Sequence, residues 1–126
     1  MESQPIRTLI VDDDKAIGDV LKELISREHT SVDVFSDGVE AIQFVKKQPV
    51  DIVITDLMMP GIGGLEVLRQ AKITNPHVVV IIITGHGTID TAVTCMKNGA
   101  YDFITKPFQI DQFVLTVNRA ADKRRL

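Results

Sequence analysis

Short β-branched runs alternate along this chain with longer segments whose apolar positions recur at helical spacing. Thr8–Val11, Asp51–Thr55 and Val78–Thr84 are nearly unbroken apolar stretches, as in strands covered on both faces within a parallel sheet. Ser31–Phe35 alternates instead, with Val32 and Val34 on one side and Asp33 on the other, and reads as an edge strand. Tyr101–Thr105 predicts a fifth strand, shorter and more mixed. The helical segments carry apolar stripes. Ile17, Val20, Leu21, Leu24 and Ile25 mark the buried face expected of the first helix, and Val39, Ile42 and Val45 that of the second. Leu65, Leu68 and Ala71 mark the third, and Ile89, Ala92, Val93 and Met96 the fourth, which Asn98–Gly99 closes. Ile110, Phe113, Val114, Val117 and Ala121 line the fifth, while Asp37 and Asp111 suit helix N-termini.

Strands alternating with helices in this way imply right-handed crossovers and a doubly wound α/β domain. Five parallel strands with an alternating second strand favour the order 2-1-3-4-5, a flavodoxin-like (α/β)5 arrangement. The first and third strands then adjoin at the topological switch point, where ligands bind outside the carboxyl ends of the strands. The 126 residues fit a single domain, 1–126, with a polar tail at 1–5 and, over about 119–126, the end of the last helix and the start of a linker. That ending reads as a helix cut off mid-course, and a stop codon immediately after Leu126 would contradict it.

Composition narrows the function classes. The apolar fraction of 44% is ordinary for a globular core, and the formal charge of −3 argues against direct binding to nucleic acid or an acidic membrane. Lys123, Arg124 and Arg125 read as a solvated helix end. Cys95 is the only cysteine, which excludes an internal disulfide and suits a reducing cytoplasm. The longest apolar run, Val78–Ile83, is too short to span a bilayer.

The strand ends carry the candidate chemistry. Asp12, Asp13 and Asp14 follow the first strand, Asp56 the third, Thr84-Gly85 closes the fourth and Lys106-Pro107 the fifth. One acid, Asp14, suffices to cap the first helix, and Asp56 alone would pass for a turn residue before Pro60-Gly61. The fold instead brings Asp12, Asp13 and Asp56 together, and such a cluster of hard oxygen donors suits Mg²⁺, with Mn²⁺ as a substitute. Lys106 would stand over these acids, offsetting their charge and able to grip a phosphoryl oxygen. The Lys106-Pro107 bond is a candidate cis peptide.

Val11-Asp12-Asp13, Thr55-Asp56-Leu57-Met58-Met59-Pro60-Gly61, Thr84-Gly85 and Lys106-Pro107-Phe108 together resemble the signature of the response-regulator receiver family, from Arg7 to about Ala121. The run Asn98–Phe108 is most similar to receivers of NtrC-type transcriptional regulators. The resemblance implies that Asp56 is the phosphoacceptor, served by a sensor histidine kinase or phosphotransfer protein. It implies that Asp12, Asp13, Asp56 and the Met58 carbonyl hold Mg²⁺, and that Thr84 and Lys106 bind the phosphoryl oxygens. It also implies an output domain in the same full-length chain, and a surface on helix 4, strand 5 and helix 5 open to homodimerisation. Such a domain catalyses only its own phosphorylation and dephosphorylation. On that surface Asp90, Thr94, Lys97, Asn98, Gln112 and Arg119 are expected to be exposed.

Two departures concern the switch. The aromatic switch position is Phe103, which lacks a hydroxyl, and Tyr101 does not match that position and is expected to pack or to form an interface. Gly63-Gly64 stands where many relatives have Asp-Gly, leaving the third helix without an N-terminal charge. Met58 and His86 occupy variable positions beside the site, His86 as a rim residue. A phosphatase of the haloacid dehalogenase type would need a second acid where Met58 stands, and a flavin carrier would need a phosphate loop where the three acids stand. The remaining alternative is a degenerate receiver acting only as a protein-binding module.

Overall fold

The computed structural model describes residues 5–26 and 31–125. The expected N-terminal tail, apart from Pro5, and Leu126 lie outside the described residues. In chain order the elements are β1 (Arg7–Val11), α1 (Lys15–Ile25), β2 (Ser31–Phe35), α2 (Gly38–Lys47), β3 (Ile52–Thr55), α3 (Gly64–Thr74), β4 (Val79–Thr84), α4 (Ile89–Lys97), β5 (Asp102–Thr105) and α5 (Ile110–Arg125). All pairings are parallel and the strand order is β2-β1-β3-β4-β5, the order the alternation predicts. Among the described residues no helix is long and apolar enough to cross a membrane.

Because side chains alternate along a strand, β1, β3 and β4 feed two cores. Leu9, Val11, Val53, Val80 and Ile82 pack with Ala41 and Val45 of α2 and with Val67 and Leu68 of α3. Ile10, Ile52, Ile54, Ile81 and Ile83 pack on the other face with Leu21 and Ile25 of α1 and with Phe113 and Val117 of α5. β2 is half-buried throughout and lies at the edge, as its alternating pattern predicts.

Three helices start on side-chain caps. Asp14 accepts from the Ala16 and Ile17 amides, Asp37 from the Val39 amide, and Thr88 and Thr91 form a reciprocal capping box on α4. α3 starts at Gly63 with no side-chain cap, as its sequence leads one to expect. Past α4, Gly99 takes the left-handed conformation (φ +100), and the Ala100 amide donates back to the Cys95 carbonyl at 3.0 Å.

The apolar stripes are less uniformly buried than the spacing suggests. Val20, Val39 and Ile110 sit on the outer margins of their helices and are exposed. α4 departs most: Ile89 is 83% exposed and Val93 and Met96 are also exposed, while Cys95, outside the expected stripe, is the buried residue. The reason lies in what α4 covers. It sits over the β5 flank of the sheet, where a four-residue edge strand with only Ile104 fully buried offers a narrow surface.

Candidate functional site

The parallel register sets the site. Val11 pairs with Thr55, so Asp12 and Asp56 leave neighbouring strands at the same height. The ladder extends one step further, since the Asp56 amide donates to the Val11 carbonyl (2.9 Å) and the Asp12 amide to the Phe35 carbonyl (3.1 Å). One carboxylate oxygen from each of Asp12, Asp13 and Asp56 lies within 4.8 Å of the others; Asp12 and Asp56 are buried, Asp13 exposed.

Lys106 reaches across from the end of β5. Its Nζ lies 3.0 Å from Asp12 Oδ2 and 3.6 Å from Asp56 Oδ2, as expected of a lysine held over the acids. The Lys106-Pro107 peptide is cis. Backbone amides take the remaining carboxylate oxygens: Asp14 N donates to Asp12 Oδ1 (2.9 Å) and Met58 N to Asp56 Oδ1 (3.3 Å). Burial pushes the Asp12 carboxyl above its usual range, and the Asp56 charge adds to this, against the lowering hydrogen bonds from Asp14 and Lys106. Three carboxylates facing one ammonium leave surplus negative charge, which a hard divalent cation would offset.

The other candidate residues surround this centre without all touching it. Thr84 is fully buried at the end of β4, and its hydroxyl accepts from the His86 amide at 3.1 Å. Its carbonyl accepts from the Lys106 amide at 2.9 Å, tying the two strand ends together. The Met58 side chain is exposed and so is His86, at the rim. Phe103 is half-buried beside the core shared with α2 and α3, with its ring edge against Gly87: a Cβ added there would lie 2.7 Å from Phe103 Cε1. Tyr101 is half-buried at the opposite end of β5, packed against the α1 and α5 core. Asp90, Thr94, Lys97, Gln112 and Arg119 are exposed as expected, and Asn98 is half-buried.

One positioning residue escapes the sequence reading. A Cβ on Gly64 would run into the Asp56 carbonyl oxygen, so only glycine lets the start of α3 lie against the backbone of that acid. Gly64 N donates to the Leu57 carbonyl and Thr55 Oγ1 to the Asp56 carbonyl, both at 2.9 Å. The signal is the second glycine of the Gly63-Gly64 pair, which the sequence marks for a flexible loop and a missing N-terminal charge but not for this close approach.

A profile of the response regulator receiver domain matches residues 8–118. The chain belongs to that family. Among curated relatives, this receiver is 37% identical over 117 residues to the C4-dicarboxylate transport transcriptional regulatory protein DctD of Rhizobium meliloti (strain 1021), covering 93% of the chain and 25% of the relative. It is 37% identical over 111 residues to the DNA-binding transcriptional regulator NtrC of Escherichia coli K12, covering 88% of the chain and 24% of the relative. The receiver thus spans about a quarter of the length of these regulators. Among solved structures, the beryllofluoride-activated NtrC4 receiver domain dimer superposes with a TM-score of 0.87 at 36% identity, covering 94% of this receiver and 98% of that chain.

Proposed function

We propose that Asp56 accepts a phosphoryl group from a phosphohistidine on a sensor histidine kinase or phosphotransfer protein. The observation that carries this reading is the Asp56 carboxylate buried beside Asp12 with the Lys106 ammonium at 3.6 Å. A carboxylate oxygen of Asp56 bonds to phosphorus as the phosphorus–nitrogen bond breaks; its electron pair stays on the imidazole and an acyl phosphate forms. Asp12, Asp13, Asp56 and the Met58 carbonyl would hold Mg²⁺ or Mn²⁺, which would supply the charge neutralisation an anionic nucleophile needs beside an anionic phosphoryl group. Lys106, already paired with Asp12 and Asp56, turns one N–H to a phosphoryl oxygen.

Thr84 is the relay. Its hydroxyl oxygen accepts from His86 N, so turning the hydroxyl hydrogen to a phosphoryl oxygen draws that bond and the loop leading into α4 with it. Phe103, pressed against Gly87 of that loop, moves with it. The signal emerges on α4, β5 and α5, where Ile89, Val93 and Met96 are exposed. That face suits a second receiver, and the beryllofluoride-activated NtrC4 receiver is itself described as a dimer. The phosphodonor has its own foothold beside Lys106, an apolar cavity of about 410 Å³ lined by Ile17, Val20, Leu21, Pro107 and Phe108.

Output passes through α5, which runs to Arg125, into a following domain that regulates transcription, as the names of DctD and NtrC describe for those proteins. The chain acts in the cytoplasm as a signalling module, catalysing only its own phosphorylation and dephosphorylation. Incubation with Mg²⁺ and acetyl phosphate followed by intact-mass measurement tests the reading. One phosphoryl adduct is expected on the wild type and none on Asp56→Asn. An unmodified wild type would overturn it in favour of a protein-binding module.

A further inference from the structure

At the amino ends of β4 and β5, the opposite pole from Asp56, a cavity of about 560 Å³ opens between the ends of α3 and α5, lined by Lys72, His77, Gly99, Tyr101, Lys123 and Arg124 among others. Basic residues in a last helical turn ordinarily answer the negative end of the helix dipole. Here lysines from two different helices border one concavity, and no carboxylate among the described residues pairs with either. Lys72 Nζ donates to the Pro76 and Val78 carbonyls at 3.0 and 3.1 Å, which leaves one N–H for another acceptor. Lys123 Nζ stands 5.4 Å from the Tyr101 ring centroid, with all three N–H groups open to an oxygen acceptor. Burial, and then the Lys123 charge, holds the Lys72 ammonium below its usual range, so the two cations oppose each other across the cavity.

The nearby acids are already engaged. Asp51 receives the Arg7 amide at 2.9 Å on Oδ2 and faces Arg124 Nε at 3.1 Å on Oδ1, and Asp122 pairs with Arg125. The Arg124 contact is an ion pair only: its buried Nε–H makes no hydrogen bond. Two ammonium groups with no carboxylate partner among the described residues, bordering one concavity, belong to an anion site.

We propose that this cavity binds a small multivalent oxyanion, a phosphate- or carboxylate-bearing metabolite, at a site independent of Asp56. The anion would bridge Lys72 and Lys123 and so tie the end of α3 to the end of α5, the helix that leads out of the domain.

The test is a backbone-amide NMR titration of the protein, free of divalent cations, with pyrophosphate and, separately, citrate, against sodium chloride at matched ionic strength. Saturable shifts centred on Lys72, Val78, Ala100 and Tyr101 are expected, and whichever anion produces them identifies the phosphate or carboxylate class. Lys123→Gln removes an exposed amine that makes no hydrogen bond among the described residues, and should weaken binding at least tenfold while keeping the spectrum dispersed. Lys72→Gln should do the same, although it also removes two bonds to the loop. Shifts reproduced by sodium chloride, centred instead on Thr84 and Lys106, or unchanged in Lys123→Gln would overturn the proposal.

Discussion

The strand ends that carry the acids and the helix that follows Thr84 are held in opposite ways. β1, β3 and β4 are buried on both faces, and the ladders of β1 with β3 and with β2 continue one step further, into Asp56 and Asp12. α4 has a single fully buried residue, Cys95, and depends on the Thr88–Thr91 capping box at one end and the Gly99 turn at the other. Local opening is cheapest where few apolar contacts must be broken. Under the proposed phosphoryl switch, a perturbation at the acidic centre would be expressed at the loosely held flank, where a second arrangement costs least.

The widest test of this contrast is a pair of isoleucines. Ile54→Ala empties a site in the packed core and should cost about 2–5 kcal/mol. Ile89→Ala on the outer face of α4 should stay within about 0.5 kcal/mol of the wild type. Urea unfolding midpoints decide, and equal losses would abolish the distinction between centre and flank.

A smaller effect tests whether the centre is rigid despite its charges. Asp12 is an acid whose folded pKa is raised, so between its ordinary value of 3.8 and that raised value the folded state holds more proton than the unfolded one. Stability contributed by this group is then present at low pH and is lost as pH rises through the folded pKa. Asp12→Asn removes that loss and leaves Lys106 paired with Asp56. In chelator the stability of the variant should fall less than that of the wild type as pH rises from the ordinary carboxylate range to neutral. A steeper fall in the variant would reverse the sign assigned to the cluster.

The smallest effect probes the flank. Thr88→Ala breaks the capping box and should cost about 0.5 kcal/mol, the low end for an exposed cap. Hydrogen exchange should localise the change to α4 amides; a uniform increase across β4 would show that the helix and the sheet open together.

Much of this was legible in the sequence, for a reason that also marks its limit. Unbroken apolar runs at Thr8–Val11 and Val78–Thr84 identify doubly covered strands, and parallel neighbours bring their carboxyl ends together, so Asp12, Asp13, Asp56 and Lys106 could be assembled from order alone. Helical periodicity reports that Ile89, Val93 and Met96 share a face, but not what covers it. In α4 nothing among the described residues does, and the buried residue is Cys95. Gly64 and the basic cavity stayed hidden because each depends on a tertiary approach: a helix start against the Asp56 carbonyl, and the ends of α3 and α5 against each other.

The pairing of Val11 with Thr55 has a consequence for how this molecule tolerates changes of length. Successive side chains on a strand point to opposite faces, so a one-residue slip of β3 along β1 would turn Asp56 away from Asp12 and Lys106. A surface loop can absorb inserted residues, because closing a longer loop adds little free energy. β3 has no such latitude. The ladder of four pairs from Thr8–Ile52 to Val11–Thr55 acts as the molecule's ruler, and a single deletion within it would keep the acids and Lys106 in the chain while dismantling the place where they meet.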